Sequence, residues 1–246
     1  MSVVLKEYGH TADGTPVQLA ILNNGQIEVH ILSYAAAIQK LFVPDSKGRK
    51  VDVVLGFDDV AGYEANGGSL GSVVGRFANR IAGAHFYLNA EEYTVTANDN
   101  GNCLHSGLHG FDRTVFEMEQ APDVEDGVLL RAVSPDGQDG FPGTVTLEVL
   151  YSLVGSGLMI QYTATTDAPT VINITNHSYF NLNGHNAGSV LGHRLAMDAN
   201  AYLETDAQLI PTGQIIPVAG TPMDFTEEKT IGRDIGADYP ALHLGG

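Results

Sequence analysis

Apolar and polar residues alternate with a period of two along most of this chain. Val145, Leu147, Val149, Tyr151 and Leu153 are interleaved with Thr146, Glu148 and Ser152, and Leu158, Ile160 and Tyr162 resume the alternation after Gly155-Ser156-Gly157. A side-chain period of two belongs to a half-buried strand, so this stretch predicts a hairpin closed by a glycine turn. Asn23-Asn24-Gly25 divides Val17-Leu19-Ile21 from Ile27-Val29-Ile31 in the same way, and Asn89-Ala90 lies between two aromatic-rich runs in residues 84–96. Thr170 to Ile174, β-branched except at Asn173, reads as a further strand. The cluster Ala35-Ala36-Ala37, flanked by Tyr34, Ile38 and Pro44, allows a short helix but fits a strand better. No segment longer than about 12 residues keeps a helical period, and no fixed-period repeat is visible. Short strands joined by Gly, Asn and Asp turns predict an all-β chain, a β-sandwich or a barrel.

Glycines and prolines are scattered rather than gathered into a linker, so residues 1–246 read as one domain. The 29 acidic side chains against 12 basic ones give a net charge of -17. Such a surface repels phosphate backbones and anionic headgroups, which argues against nucleic-acid and membrane partners. No stretch approaches the ~20 apolar residues of a bilayer span. One cysteine, Cys103, precludes an internal disulfide, and no signal-peptide pattern opens the sequence, so a cytoplasmic location is expected.

Three clusters hold side chains that strand pattern and turn chemistry do not require. They are Gly75-Arg76-Phe77-Ala78-Asn79-Arg80-Ile81, the run Asn102-Cys103-Leu104-His105-Ser106-Gly107 continuing through Asp112, and Asn173 to Leu182, which contains His177 and Tyr179. Arg, His, Asn and Tyr supply the directional donors and acceptors that bind neutral polyols. Each cluster also has a plainer reading. Arg76 and Arg80 fit surface ion pairs with the abundant carboxylates, Arg76 more readily than Arg80. His105 and His109 have the i, i+4 spacing of a zinc pair, but Gly107 and Gly110 place them on a loop, which argues against a metal. His177 fits a structural hydrogen-bonded histidine equally well, and Asn176, Asn181 and Asn183 fit turn residues bonding their own backbone.

Taken together, GRFANRI, NCLHSGLHGFDR, DGQDGFPG, TNHSYFNLNG and PTGQIIPVAGTPMDF resemble the aldose 1-epimerase, or galactose mutarotase, family, in the family's order and over the chain to about Asp224. One departure is Ser106, where the family usually has glycine. The resemblance implies a large antiparallel β-sandwich of the galactose mutarotase type, cofactor-free, interconverting the α and β anomers of an aldohexose such as galactose or glucose. It implies His177 as the general acid toward the ring oxygen, Asn79, Arg80 and His105 as sugar contacts, and Tyr179 as a further contact. Acid-base assistance of this kind contributes ~10² to 10⁴-fold and suits a histidine.

The family's Gly-aromatic-Asp-His motif and its glutamate base, which follow a segment like ALHLGG, have no counterpart in the 246 residues, and Asp224, Glu227 and Glu228 match an earlier segment. The chain is therefore expected to be incomplete at its C-terminal end. Three other functions stay open: a sugar-binding protein without catalysis on the same fold, a structural or interaction domain on that fold, and an epimerase of hexose 6-phosphates, which the scarcity of Lys and Arg disfavours. The expected assembly is a monomer or homodimer.

Overall fold

The computed structural model describes residues 2–65 and 67–245, in two compact units, 1–186 and 187–246. In the first unit, β1 (Ser2–His10), β2 (Pro16–Asn23), β3 (Glu28–Leu32), β4 (Ile38–Pro44) and β5 (Lys50–Asp52) form an antiparallel meander. Helix α1 (Val60–Glu64) follows, its N-terminus capped by the Asp59 carboxylate, which accepts from the Gly62 N–H at 2.8 Å. Next come β6 (Val73–Val74), β7 (Arg80–Ile81), the hairpin β8 (His85–Leu88) and β9 (Glu91–Thr94), and β10 (Cys103–Leu104). A second meander, β11 (Glu117–Gln120), β12 (Gly127–Ser134), β13 (Val145–Val154) and β14 (Gly157–Thr166), precedes β15 (Thr175–Asn176).

The two meanders pack face to face as a sandwich. Ala20 and Leu22 of β2, Val29 and Ile31 of β3 and Ile38 of β4 share one core with Val128, Leu130 and Ala132 of β12 and the five inward residues of β13. Strand β2 is buried on both faces, because Val17 and Leu19 pack on the opposite side beneath Val60 and Tyr63 of α1. In the β2–β3 hairpin Leu22 faces Val29 and Ala20 faces Ile31, so the even apolar residues of one strand meet the odd ones of the other.

The predicted turns at Asn24-Gly25, Asn89-Ala90 and Gly155-Ser156 are present, with positive φ at Gly25, Asn89, Ala90 and Gly155. The alanine cluster is neither helix nor strand. Ala35 and Ala36 have φ 58° and 45°, and the Ala37 N–H donates to Tyr34 O, which makes a tight left-handed turn between β3 and β4. Asn and Gly favour such a turn, but this one is wholly buried and tertiary bonds hold it. Ala35 N–H donates to Thr114 O, Ala35 O accepts from Val73 N–H, and Ala36 O accepts from the Tyr151 hydroxyl. Small side chains are what the crowded interior admits there. Residues 170–174 are likewise not a continuous strand, since only Asn173 is paired, in a bridge to Phe77, before the two residues of β15.

The second unit contains β16 (Arg194–Leu195) paired with β19 (Lys229–Thr230), the hairpin β17 (Ala201–Thr205) and β18 (Pro211–Pro217), and helix α2 (Pro240–Gly245). Its buried cation, Lys229, donates to Pro222 O and to the Asp234 carboxylate and lies 4.3 Å over the Phe225 ring.

Candidate active site

Two short ribbons bring the three sequence clusters together. Strand β7 pairs with β10, setting Arg80 opposite Leu104, while β6 pairs with β15, setting Val74 opposite Thr175. Between them Asn173 donates its N–H to Arg76 O and accepts at its carbonyl from Ala78 N–H, each at 2.8 Å. A cavity of about 480 Å³ opens at this junction, and Asn79, Arg80, His105, His177 and Tyr179 all line it.

The backbones of Asn79 and His105 are locked to each other. His105 N–H donates to Asn79 O at 3.0 Å, and Asn79 N–H donates to the His105 Nδ1 at 3.0 Å. An N–H donor aimed at Nδ1 requires a lone pair there, so the imidazole proton resides on Nε2. Burial first, then the positive charges of His177 and Arg80, push the His105 pKa down to about 4, so the ring is a neutral donor at physiological pH. His177 is fixed through its backbone: its N–H donates to Ser72 O and its O accepts from Gly71 N–H. Its ring centroid lies 5.3 Å from that of His105 and 5.2 Å from that of Tyr179. The strand ends at Asn176, yet the chain beyond it still brings His177 and Tyr179 to the same cavity.

Arg80 Nε donates to the Asp99 carboxylate at 2.7 Å, and Nη1 donates to the Asn79 amide oxygen at 3.3 Å. The ion pair and the cavity-lining role therefore coexist in one side chain. Arg76 is different: it is not a surface ion pair but is buried at 2% exposure. Its guanidinium donates to Ser134 Oγ and O, Pro135 O, Pro142 O and Thr170 Oγ1, all neutral oxygens. Burial lowers its pKa. Arg76 thus fastens the segment that carries Asn79 and Arg80 to the loops around it.

The loop that carries His105 is tied from two sides. The Asn98 amide donates to Leu104 O and Gly107 O and accepts from Leu104 N–H, and the Asp139 carboxylate, 3% exposed, accepts from Leu108 N–H and His109 N–H. Burial opposes ionisation of Asp139, but the Leu108, Thr96 and His109 donors outweigh it and hold the carboxyl below its usual range. Gly107, at φ +94°, is needed here, because a Cβ would meet the Asp139 carboxylate at 2.6 Å. Ser106 adopts φ 71°, a conformation that suits the family's glycine, and its Oγ accepts from Phe77 N–H at 2.7 Å. Ser69, Asn79, His105 and Ser106 all have positive φ, a concentration of strained backbone around one cavity.

Other candidate groups go elsewhere. His109 faces Asp139 at 3.2 Å rather than His105. Asn176 and Asn181 accept from the backbone N–H two residues on, the local bonding expected of turn residues. Asn176 also donates to Gly71 O. Among the described residues no group of three His, Cys, Asp or Glu side chains is placed to hold a metal ion. The second unit has a groove of about 560 Å³, lined among others by Asp224, Glu227 and Asp234 but by no histidine. The sequence pattern did not single out Ser69, Asn98 and Asp99. Asp112 and Asp139 lie inside quoted motifs, with nothing in composition to separate them from surface carboxylates.

An antiparallel sandwich whose two short ribbons gather histidines, an arginine and an asparagine around an open polar cavity defines a protein of the mutarotase-fold class. The aldose 1-epimerase family model matches residues 18–244, and the chain belongs to that family. It is 41% identical to galactose mutarotase of Bos taurus over 87% of this chain and 62% of the relative, and 35% identical to aldose 1-epimerase of Escherichia coli over 92% and 65%. The crystal structure of galactose 1-epimerase from Lactobacillus acidophilus superposes with a TM-score of 0.88, at 28% identity, over 99% of this chain and 71% of that one. The chain thus spans roughly two thirds of the length of these relatives.

Proposed function

We propose that this chain acts on a free aldohexose such as galactose or glucose, interconverting its α and β anomers. The observation that carries this reading is the convergence of His177 with the neutral donor His105 and with Arg80 in one open cavity. In the reaction the O1 hydroxyl gives its proton to a water molecule, the O1–H electron pair forms the C1=O1 bond, and the C1–O5 bond breaks with its electron pair going to O5. His177 delivers a proton to O5, C1 becomes a carbonyl carbon, the C1–C2 bond rotates, and closure on the other face restores both protons. The His105 Nε2–H and the Arg80 guanidinium suit the negative charge that builds on oxygen as the ring opens. Asn79 and Tyr179 are sugar contacts in this reading.

Among the described residues the cavity is lined by no carboxylate, and His105 is too weak a base to take the O1 proton efficiently. The chain therefore supplies the acid and the orienting donors of the reaction. Arg80 is the one Lys or Arg among the described lining residues, and Asp99 already neutralises it, which favours an uncharged sugar over a hexose 6-phosphate. The net charge of -17 argues against a nucleic-acid partner, and the proposal includes a cofactor-free monomer or homodimer of the cytoplasm. No helix among the described residues is long and apolar enough to cross a membrane.

Polarimetry on freshly dissolved α-D-galactose and α-D-glucose tests the reading. Acceleration toward rotational equilibrium, lost in His177→Asn, supports it. Hexose binding without acceleration would leave a sugar-binding protein, and an unchanged rate in the variant would remove His177 from its role.

A further inference from the structure

The cavity has one wall that the acid-base chemistry does not use. Ser69 lines it, and its hydroxyl donates to the Asp112 carboxylate at 3.0 Å. Ser69 is 9% exposed, and burial together with the bond to Asp112 holds its side chain in place. Asp112 sits on the turn 111–113 behind Gly110, where a Cβ on the glycine would meet the Asp112 carboxylate and His105 O, each at 2.7 Å. The carboxylate is thus wedged between the Ser69 loop and the backbone of the His105 loop.

The hydrogen-bonding character of the remaining cavity groups makes this pair distinctive. His105 and Arg80 present donors, the Thr175 and Tyr179 hydroxyls can turn to donate or accept, and the Asn79 amide oxygen already takes one bond from Arg80, whereas the Ser69 hydroxyl has its proton committed to a carboxylate. A sugar hydroxyl is both donor and acceptor, so an oxygen fixed as an acceptor complements the donors of His105 and Arg80. An ionised Asp112 can only accept, so the shared proton belongs to Ser69 and the lone pairs of Ser69 Oγ remain for another partner. Burial holds the Asp112 pKa above its usual value, and the Ser69 hydrogen bond and the neighbouring Arg113 and His177 offset only part of that rise.

We propose that Ser69 is a further sugar-positioning residue of this cavity, its oxygen accepting a hydrogen bond from one substrate hydroxyl, and that Asp112 is the positioning residue that keeps Ser69 an acceptor. This rests on the aldose reading given above. The hydroxyl that it serves is ordered relative to the ring oxygen facing His177, so the pair contributes to the choice among epimers.

The test is hexose binding by calorimetry with D-galactose and its monodeoxy analogues, on the wild-type chain, Ser69→Gly and Asp112→Asn. Glycine adopts φ 49° without strain, so Ser69→Gly removes the acceptor while retaining the loop. One hydrogen bond corresponds to a loss of about 5- to 10-fold in galactose affinity in Ser69→Gly. In the wild type one deoxy analogue carries the same penalty, and that penalty disappears in both variants, which a merely structural role for Asp112 would not produce. Galactose bound equally well by Ser69→Gly, or deoxy penalties identical in all three proteins, would overturn the inference and leave the aldose reading intact. Failure of the wild type to bind any hexose would overturn both.

Discussion

The N–H of Asn79 donates to the Nδ1 of His105, and this single bond fixes the tautomer of a histidine in the cavity. The two residues are 26 apart in sequence and both have positive φ. The folded pKa of about 4 lies below the ordinary 6.5, so the unfolded chain binds the proton first as pH falls. The stability due to neutral His105 is fully present above 6.5 and is lost as pH drops toward 4. His105→Asn places an amide oxygen where Nδ1 accepts and does not titrate. Urea unfolding at pH 7 and pH 4.5 should show a steeper acid loss in the wild type than in this variant, and ¹⁵N NMR should show a proton on Nε2 at neutral pH. Parallel pH profiles would contradict the assignment.

Arg76 is expected to be indispensable to folding without touching the cavity's contents. Lysine retains the charge but offers a single nitrogen in place of a planar fork, so Arg76→Lys leaves several of the five oxygen partners unserved. A loss of about 2–4 kcal/mol in urea titrations is expected. A cost below 0.5 kcal/mol would mean that water or a side-chain shift replaces the fork.

Asp139→Asn removes the charge that two backbone N–H groups share. Charge-assisted bonds of this type contribute about 1.5–3 kcal/mol, so a loss of about 2 kcal/mol is expected. Amide hydrogen exchange should locate it: Leu108 and His109 lose protection, while the amides of β13 change only in step with global stability.

The pair Ser106→Ala and Ser106→Gly separates backbone strain from hydrogen bonding. Both leave the Phe77 N–H without its Oγ partner, which costs about 1–2 kcal/mol, but only glycine also relieves φ 71°. Thermal unfolding should therefore rank wild type, glycine and alanine in descending order of Tm, with wild type and glycine close. A glycine variant less stable than the alanine one would rule out strain as the reason for the family's glycine.

Hairpin strands and their turns were legible in the sequence because period two and Gly or Asn turns are local signals. The all-β class was legible for the same reason, as Val145 to Leu153 shows the alternation of a strand with one face inside, whereas the choice of a sandwich over a barrel came from the family motifs. Local signals failed where burial decided the outcome. Ala35-Ala36 carries no turn residue, and its bend is set by Thr114, Val73 and Tyr151, which lie far away in sequence. Arg76 resembles any surface arginine until the loops at 134–142 close over it. The cavity residues were found through the family motifs, since nothing in the spacing of Asn79, His105 and His177 says that two-residue ribbons join them. Asp99, Asp112 and Asp139 are three among 29 acidic residues, and only contact geometry distinguishes them.

The buried left-handed turn at Ala35-Ala36 bears on how this chain can be lengthened. Hairpin tips are ordinarily where proteins accept extra residues during evolution and where tags are inserted, because the tip faces water. The exposed tip at Asn89-Ala90 fits that rule. At Ala35-Ala36 even one added residue would have to fit inside the sandwich and break the bonds to Thr114, Val73 and Tyr151. Among relatives of this chain, variation in length belongs at the first tip, and the β3–β4 connection should be constant in length whatever residues occupy it.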